Sequence, residues 1–408
     1  MSHNVSLKYY TNRTLLLILL VLFGFISSRA LISIGTGLLA LNLILSFKEH
    51  KWRFFNKENL GILIALLFFL VSALSIFFSP DYQIGLKQLY YRLPWLVIPL
   101  SIGAMTAPKT AFVHAILGFF VLIMTVSGMV VLINYLANYT YITAQIALAK
   151  NIPTPLNHIR YSLMVAFAGL VSIYFFVKNN TKLSPYDRII FGLTSLFLFS
   201  LIHILSVRSG LLGCYLGLVY LIIYFAFHFK KWWLLPIFGI LLIATPYIAY
   251  LSLPSLQNKV AYMRYDFEQI EKDNIGHNSD SRRWRSILMA TELIKEQPIL
   301  GSGLGQVENV SKKYYSEHNQ NVEEYNQKVP HNQFLYTTVE MGVVGLLALF
   351  ILITLPFYYT GLIRKPLYTS LWIIVLASCL VENTFESQIG MSFYLLIGSL
   401  LLKQGKDE

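Results

Sequence analysis

Stretch after stretch of this chain runs for nearly twenty residues with hardly a charge. Such windows fall near 13–28, 30–47, 61–79, 93–106, 110–136, 158–177, 188–206, 210–228, 232–252, 333–357, 368–384 and 388–402. A helix needs about 20 mainly apolar residues to cross the hydrocarbon of a bilayer. The expected fold is therefore all-α, a polytopic membrane protein of about twelve transmembrane helices. A charged fraction of 13% agrees, being about half that of a soluble domain.

Lysine and arginine gather in alternate connections. One set holds Lys8 and Arg13, then Lys48, Lys51, Arg53 and Lys57, then Lys109. It continues through Lys178, Lys182 and Arg188, Lys230 and Lys231, Arg364 and Lys365, and ends with Lys403 and Lys406. Basic residues mark cytoplasmic loops, so both termini are expected in the cytoplasm. The net charge of +12 then reflects orientation in a membrane, with lipid as the partner and no nucleic acid. The first apolar stretch runs straight into the second with no small-residue cleavage site, and is expected to stay as a span.

One long connection, 253–332, falls in the other, extracytoplasmic set. It divides the chain into N-terminal membrane helices (1–252), a helical loop (253–332) and C-terminal membrane helices (333–408). Leu256 to Lys272 and Arg283 to Glu296 read as helices, which predicts a small folded cap. Cys214 and Cys379 lie inside apolar runs and read as packing residues. No internal repeat or low-complexity tract is visible.

The extracytoplasmic side carries a small set of ionisable residues. Arg92 ends the loop Pro80–Tyr91. Arg208 sits in the tight turn Ser206-Val207-Arg208-Ser209-Gly210 between two spans, where the charge distribution disfavours arginine and an ionisable residue points to function. The alternative for Arg208 is snorkelling to lipid phosphates or pairing with Glu382. Arg282, Arg283 and Arg285 crowd one helix start. Arg283 shares a helical face with Ile287, Ala290 and Ile294, an apolar face expected to meet the membrane domain. Arg282 and Arg285 flank it, and a solvated basic patch suits those two better.

Pro298-Ile299-Leu300-Gly301-Ser302-Gly303-Leu304-Gly305 is a glycine-rich turn. A phosphate nest is conceivable, but no lysine follows and no strand precedes, so a tight reversal is favoured. His331 opens the tenth span, followed by Asn332, with Lys328 just before. A neutral imidazole there can serve as a general base; a hydrogen-bonded interfacial histidine is the plainer alternative. Gly342 and Gly345 are expected to allow close helix packing.

These residues together resemble the O-antigen ligase and polymerase superfamily. The resemblance rests on His331-Asn332, nine residues, then Gly342-Val343-Val344-Gly345. It rests also on Arg283 a short helix ahead of Pro298–Gly303, on the arginine turn Ser206–Gly210, and on one large periplasmic loop before a late histidine. It covers most of the chain in architecture and about 200–345 in motif. It implies a membrane-embedded glycosyltransferase of the GT-C type in a bacterial inner membrane, with its site facing the periplasm. The donor would be an undecaprenyl diphosphate-linked polysaccharide and the acceptor the outer sugar of lipid A–core, with no metal and no cofactor. By the same resemblance His331 would deprotonate the acceptor hydroxyl. Arg208 and Arg283 would bind and neutralise the donor diphosphate, with Arg92 and Arg282 in support and Asn332 and Lys328 beside the acceptor. Ile287 stands where the family carries an aromatic residue, which leaves open whether Arg283 or Arg282 is the key loop arginine.

The chemistry suits these side chains. Departure of a diphosphate builds negative charge that fixed guanidinium groups stabilise, and arginine grips phosphate oxygens in pairs without losing its proton. The chain has no acidic pair beside them of the sort that would hold a divalent metal. Direct displacement would invert the anomeric centre. A polysaccharide polymerase or a protein O-oligosaccharyltransferase would use the same donor. A transporter, the rival from another class, usually shows inverted repeats and polar residues at the midplane.

Overall fold

The computed structural model describes residues 2–47, 59–147, 150–178, 184–271, 279–318, 327–360 and 365–405. Lys48, Lys51, Arg53, Lys57, Lys182, Arg364 and Lys406 lie outside these. Among the described residues the chain is helical, with no strand. Lipid forces this result, because a helix satisfies its backbone internally where no water can.

The helices are α1 (Ser2–Ser27), α2 (Arg29–Leu45), α3 (Leu60–Leu74), α4 (Tyr82–Tyr91), α5 (Pro94–Ala104), α6 (Thr110–Ala137) and α7 (Tyr139–Ala147). They continue with α8 (His158–Val177), α9 (Pro185–Leu205), α10 (Arg208–Phe229) and α11 (Leu234–Ser252). The long connection holds α12 (Pro254–Glu271), α13 (Ser279–Glu296) and α14 (Val307–His318), and the chain closes with α15 (Gln333–Thr360), α16 (Pro366–Val381) and α17 (Gln388–Lys403). Among the described residues, eight helices are long and apolar enough to cross a membrane, and three shorter apolar ones (α2, α16 and α17) join them. The chain is a multi-pass membrane protein.

Two expectations change. The fourth expected span, 93–106, is the 11-residue helix α5, which rises only about 16 Å, about half the hydrocarbon thickness. The expected loop before it is helix α4, whose N-cap Asp81 accepts from the Gln83 and Ile84 amides at 2.9 and 3.1 Å.

Helix α8 is central, 83% buried over its apolar window, whereas α11 buries none of its own. Helices α9, α10, α16 and α6 surround α8, α3 packs on α15, and α17 on α5. One end of the bundle collects basic groups: Arg13 bonds Ser46 at 3.0 Å, Lys403 bonds Asn59 at 2.6 Å, and Lys365 donates to the Leu401 and Leu402 carbonyls. The opposite end carries the arginines and the histidine singled out above.

The glycine-rich turn and Gly342 form one device. Helix α15 breaks at Gly342, with φ 61° and ψ −160°. The amides of Ser302 and Gly303 donate to the carbonyls of Val339 and Glu340 at 2.8 and 2.9 Å, and the Val343 amide donates to Pro298 at 2.9 Å. The turn thus replaces bonds the broken helix cannot make. A Cβ at Gly342 would run into the Ile299 carbonyl oxygen. Close packing of a second helix, the expectation for Gly342, is therefore corrected: its glycine serves a backbone break filled by the turn. The turn's amides are engaged with helix carbonyls, so its role is reversal and docking, as favoured from its residues.

Candidate functional site

Glu382 organises the site. Helix α16 ends at Val381, and Glu382 follows in extended conformation at φ −149° and ψ 153°. This aims a carboxylate only 4% exposed at two partially exposed partners. Arg283 Nη2, from α13, lies 2.5 Å from Glu382 Oε1. His331 Nδ1, just ahead of α15, lies 3.3 Å from Oε2. Burial pushes the Glu382 carboxyl up, but the His331 hydrogen bond and the Arg283 and Arg160 charges outweigh it and hold the group below its ordinary value.

An ionised carboxylate can only accept, so the Glu382 contact needs the hydrogen on Nδ1. In the neutral ring Nε2 then keeps its lone pair. This is how a buried carboxylate fixes the tautomer of a catalytic imidazole.

Helix α13 turns Ser286, Met289 and Ala290 inward, where Ala290 packs with Val307, Tyr336 and Val339. Arg283 stands at the edge of that buried face. Of the loop arginines it is Arg283 that meets Glu382; Arg282 is half-buried on the flank, and burial lowers Arg285, which lies beside Tyr315.

Arg208 opens α10 and is half-buried. Gly210 packs directly on Ser162 of α8, and Gly213 lies against Ile374 of α16. A Cβ at Gly210 would collide with Ser162, so the turn must be small for α10 to seat there. These contacts bring the starts of α8 and α10 and the end of α16 to one end of the bundle. Arg208, Glu382, Arg283 and His331 therefore share that end.

Other expected residues have different duties. Asn332 Oδ1 caps α15 by accepting from the Phe334 and Leu335 amides at 2.9 and 3.0 Å, and its Nδ2 donates to the Leu380 carbonyl at 2.9 Å. That corrects the expectation of an acceptor contact, because its amide is committed to joining α15 to α16. The Lys328 carbonyl accepts from the Tyr315 hydroxyl at 3.1 Å.

Arg92 is likewise corrected. Its side chain is 1% exposed and lies 2.5 Å from Glu340 and 2.9 Å from Glu386, with Nη1 on Ser72 at 2.9 Å. The Gly305 amide donates to Glu340 at 3.0 Å, and Gln88 and Gln333 donate to Glu386, each at 3.1 Å. Two carboxylates enclose the guanidinium and leave it no face for a phosphate. The cluster is a clamp holding α3, α4, the glycine turn and α15 together.

Arg160 was not singled out from the sequence. It is 6% exposed, donates to Ser387 Oγ at 2.9 Å and to the Asn383 carbonyl at 3.1 Å, and its charge acts on Glu382. An arginine at the start of an apolar span was its signal, the same as for Arg208. Among the described residues no group of three or more His, Cys, Asp or Glu side chains is placed to hold a metal ion.

The fold and this end of the bundle define a multi-pass membrane protein with a histidine, a carboxylate and several arginines gathered at one face. Residues 193–350 match the family model described as O-antigen ligase, a segment that contains Arg208, Arg283, the glycine turn, His331 and Gly342. Through this segment the chain is similar to the O-antigen ligase family. An uncharacterised protein of Haemophilus influenzae is 27% identical over 206 residues, covering 48% of this chain and 48% of that relative. The chain thus spans about half the length of the curated relative it matches. Arg160 and Glu382 lie beyond the matched segment.

Proposed function

We propose that the chain transfers a glycan from an undecaprenyl diphosphate carrier to a sugar hydroxyl of lipid A–core on the extracytoplasmic face, as an O-antigen ligase. The observation that carries this reading is the bridge from Arg283 through Glu382 to His331, which sets a cation for a leaving group beside an oriented base.

In the proposed step His331 Nε2 takes the proton of the acceptor hydroxyl, whose oxygen attacks the anomeric carbon. The bond from that carbon to the diphosphate oxygen breaks, and the carrier diphosphate leaves with the electron pair. Direct displacement inverts the anomeric centre. A planar guanidinium can hold a carboxylate on one edge and a phosphate on another, so Arg283 can keep Glu382 while it meets the donor. Arg208 supplies a second charge at the same end. Each such fixed cation lowers the barrier by roughly 3 kcal/mol.

The test is reconstitution with lipid-linked glycan and acceptor. His331→Ala and Arg283→Ala, at normal expression, are expected to lose product. Full activity in either removes that residue from the mechanism. In cells, polymer left on its carrier lipid in a null strain supports the ligase, while single repeats only would assign a polymerase.

A further inference from the structure

The glycine-rich turn that fills the break in α15 also carries two apolar side chains turned out of the fold. Ile299 is 64% exposed and Leu300 40%. Val343, Val344 and Leu347 of the adjoining α15 are exposed beside them. So are Phe77 and Phe78, just ahead of the Ser79 backbone on which Gly303 rests. The composition changes at Pro298: Glu292 and Lys295, on the last turns of α13, pair in the open at 2.8 Å, whereas Pro298-Ile299-Leu300 carries no charge.

The height of the turn follows from the helices it touches. The Ile299 carbonyl lies against Gly342, and Pro356, farther along α15, packs beside Gly61 at the basic end of the bundle. From Gly342 to Pro356 the helix rises about 21 Å. With one boundary of the hydrocarbon near Gly61, where Lys403 bonds Asn59, Ile299 lies roughly 9 Å inside the other. The chain comes back up at Gly303, against Ser79, roughly 27 Å above Gly61 along α3.

The backbone here suits such surroundings, because non-helical chain is tolerated at membrane depth only where its polar groups are paired. Pro298 has no N–H to satisfy. The Gly301 amide donates to the Gln297 carbonyl at 3.2 Å, and those of Ser302 and Gly303 are engaged with α15. The Pro298 and Ile299 carbonyls accept from the Val343 and Val344 amides at 2.9 and 3.5 Å. The Ser302 hydroxyl donates to the Val339 carbonyl at 3.0 Å. What the turn presents outward is hydrocarbon.

We propose that Ile299 and Leu300 sit among the lipid acyl chains of the leaflet nearer the site and anchor the connection 253–332 to the bilayer. The sequence places that whole connection in water; this short piece of it returns to the hydrocarbon. Lipid is the occupant because the two side chains continue the exposed apolar faces of α3 and α15 at the same depth. Each favours hydrocarbon over water roughly tenfold to a hundredfold. The anchor follows directly on α13, so it holds down the helix that carries Arg283. It stands whether or not the chain transfers a glycan.

Nitroxide labels at Ile299→Cys and Leu300→Cys, in the full chain in phosphatidylcholine nanodiscs, test the anchor by electron paramagnetic resonance. The native Cys214 and Cys379 are buried, and the parent chain checks that they stay unlabelled. Phe350→Cys, exposed on α15, is the lipid reference, and Lys295→Cys, exposed on α13, is the water reference. The labels at 299 and 300 are expected to match Phe350 in access to oxygen and to be roughly tenfold less open than Lys295 to an aqueous nickel chelate. Nickel access equal to that at Lys295 overturns the proposal. Protection from both oxygen and nickel overturns it too, and would assign the patch to a protein partner. In hydrogen exchange, Ile299→Asp is expected to speed the α13 amides roughly tenfold, while Ile299→Phe keeps the parent's rates. Exchange in Ile299→Asp equal to the parent's overturns the anchoring of α13, and the labels decide the lipid contact even where that variant folds poorly.

Discussion

Glu382 Oε2 lies 3.3 Å from His331 Nδ1 across 51 residues of sequence, and its other oxygen holds Arg283. One buried carboxylate thus sets the orientation of both a base and a cation. Neither partner shares a helix with it.

Replacing Glu382 by glutamine keeps the shape, removes the charge and turns one of its two acceptor oxygens into an NH2 donor, so Arg283 and His331 cannot both be held. Turnover in the reconstituted assay is expected to fall on the order of 100-fold, with the apparent affinity for donor little changed and Glu382→Asp recovering part of the rate. Equal turnover of Glu382→Gln and the parent rules out an orienting role.

Acid should loosen the same group. The folded protein holds the Glu382 carboxyl below its ordinary value, so the ionised form favours the fold. That stabilisation is whole at neutral pH. It declines below the ordinary carboxylate value and is gone once the pH has fallen past the depressed one. Thermal unfolding in detergent, followed from neutral to acid pH, is expected to show a smaller loss of Tm in Glu382→Gln than in the parent. Parallel curves would count against the linkage.

Arg92 is expected to behave as a structural residue. Arg92→Met leaves Glu340 and Glu386 buried without their cation, at a cost of about 3–5 kcal/mol. Poor folding and a marked drop in Tm should therefore precede any change in turnover per folded molecule. Arg283→Ala, at a half-exposed position, should keep its Tm. A well-folded Arg92→Met protein with inactive sites would return Arg92 to the chemistry.

Two glycines should respond in opposite directions. Gly342→Ala meets the Ile299 carbonyl at a positive φ and is expected to cost more than about 1 kcal/mol. Gly118 of α6 has open space where a Cβ would stand, and Gly118→Ala is expected to be neutral or stabilising by up to about 1 kcal/mol. Comparison of the two Tm values checks both.

The spans were legible because lipid thickness dictates a length and a composition that no other element matches. The exception, α5, passed for a span because apolar residues continue around a helix too short to cross. Arg208, Arg283 and His331 could be found because each stands where a charge is out of place. Arg160 carried the same signal as Arg208, but its partners Ser387 and Asn383 are 227 and 223 residues away, and the meaning of Glu382 lies in Arg283 and His331 on other segments. Arg92 misled for the complementary reason: its acidic neighbours Glu340 and Glu386 are 248 and 294 residues distant, so the neutralised charge looked available. Gly342 looked like a packing glycine because a helix break leaves no trace in an apolar run.

The break in α15 also bears on how the chain is made. Residues 298–305 leave the ribosome ahead of α15, yet their hydrogen bonds are with that helix and with residues near 75–79. The broken helix cannot complete its hydrogen bonds until the turn at 298–305 has docked against it. A chimera that exchanges the loop alone between relatives would strand bare carbonyls in the bilayer, whereas one that carries 298–345 as a unit would take its plug along.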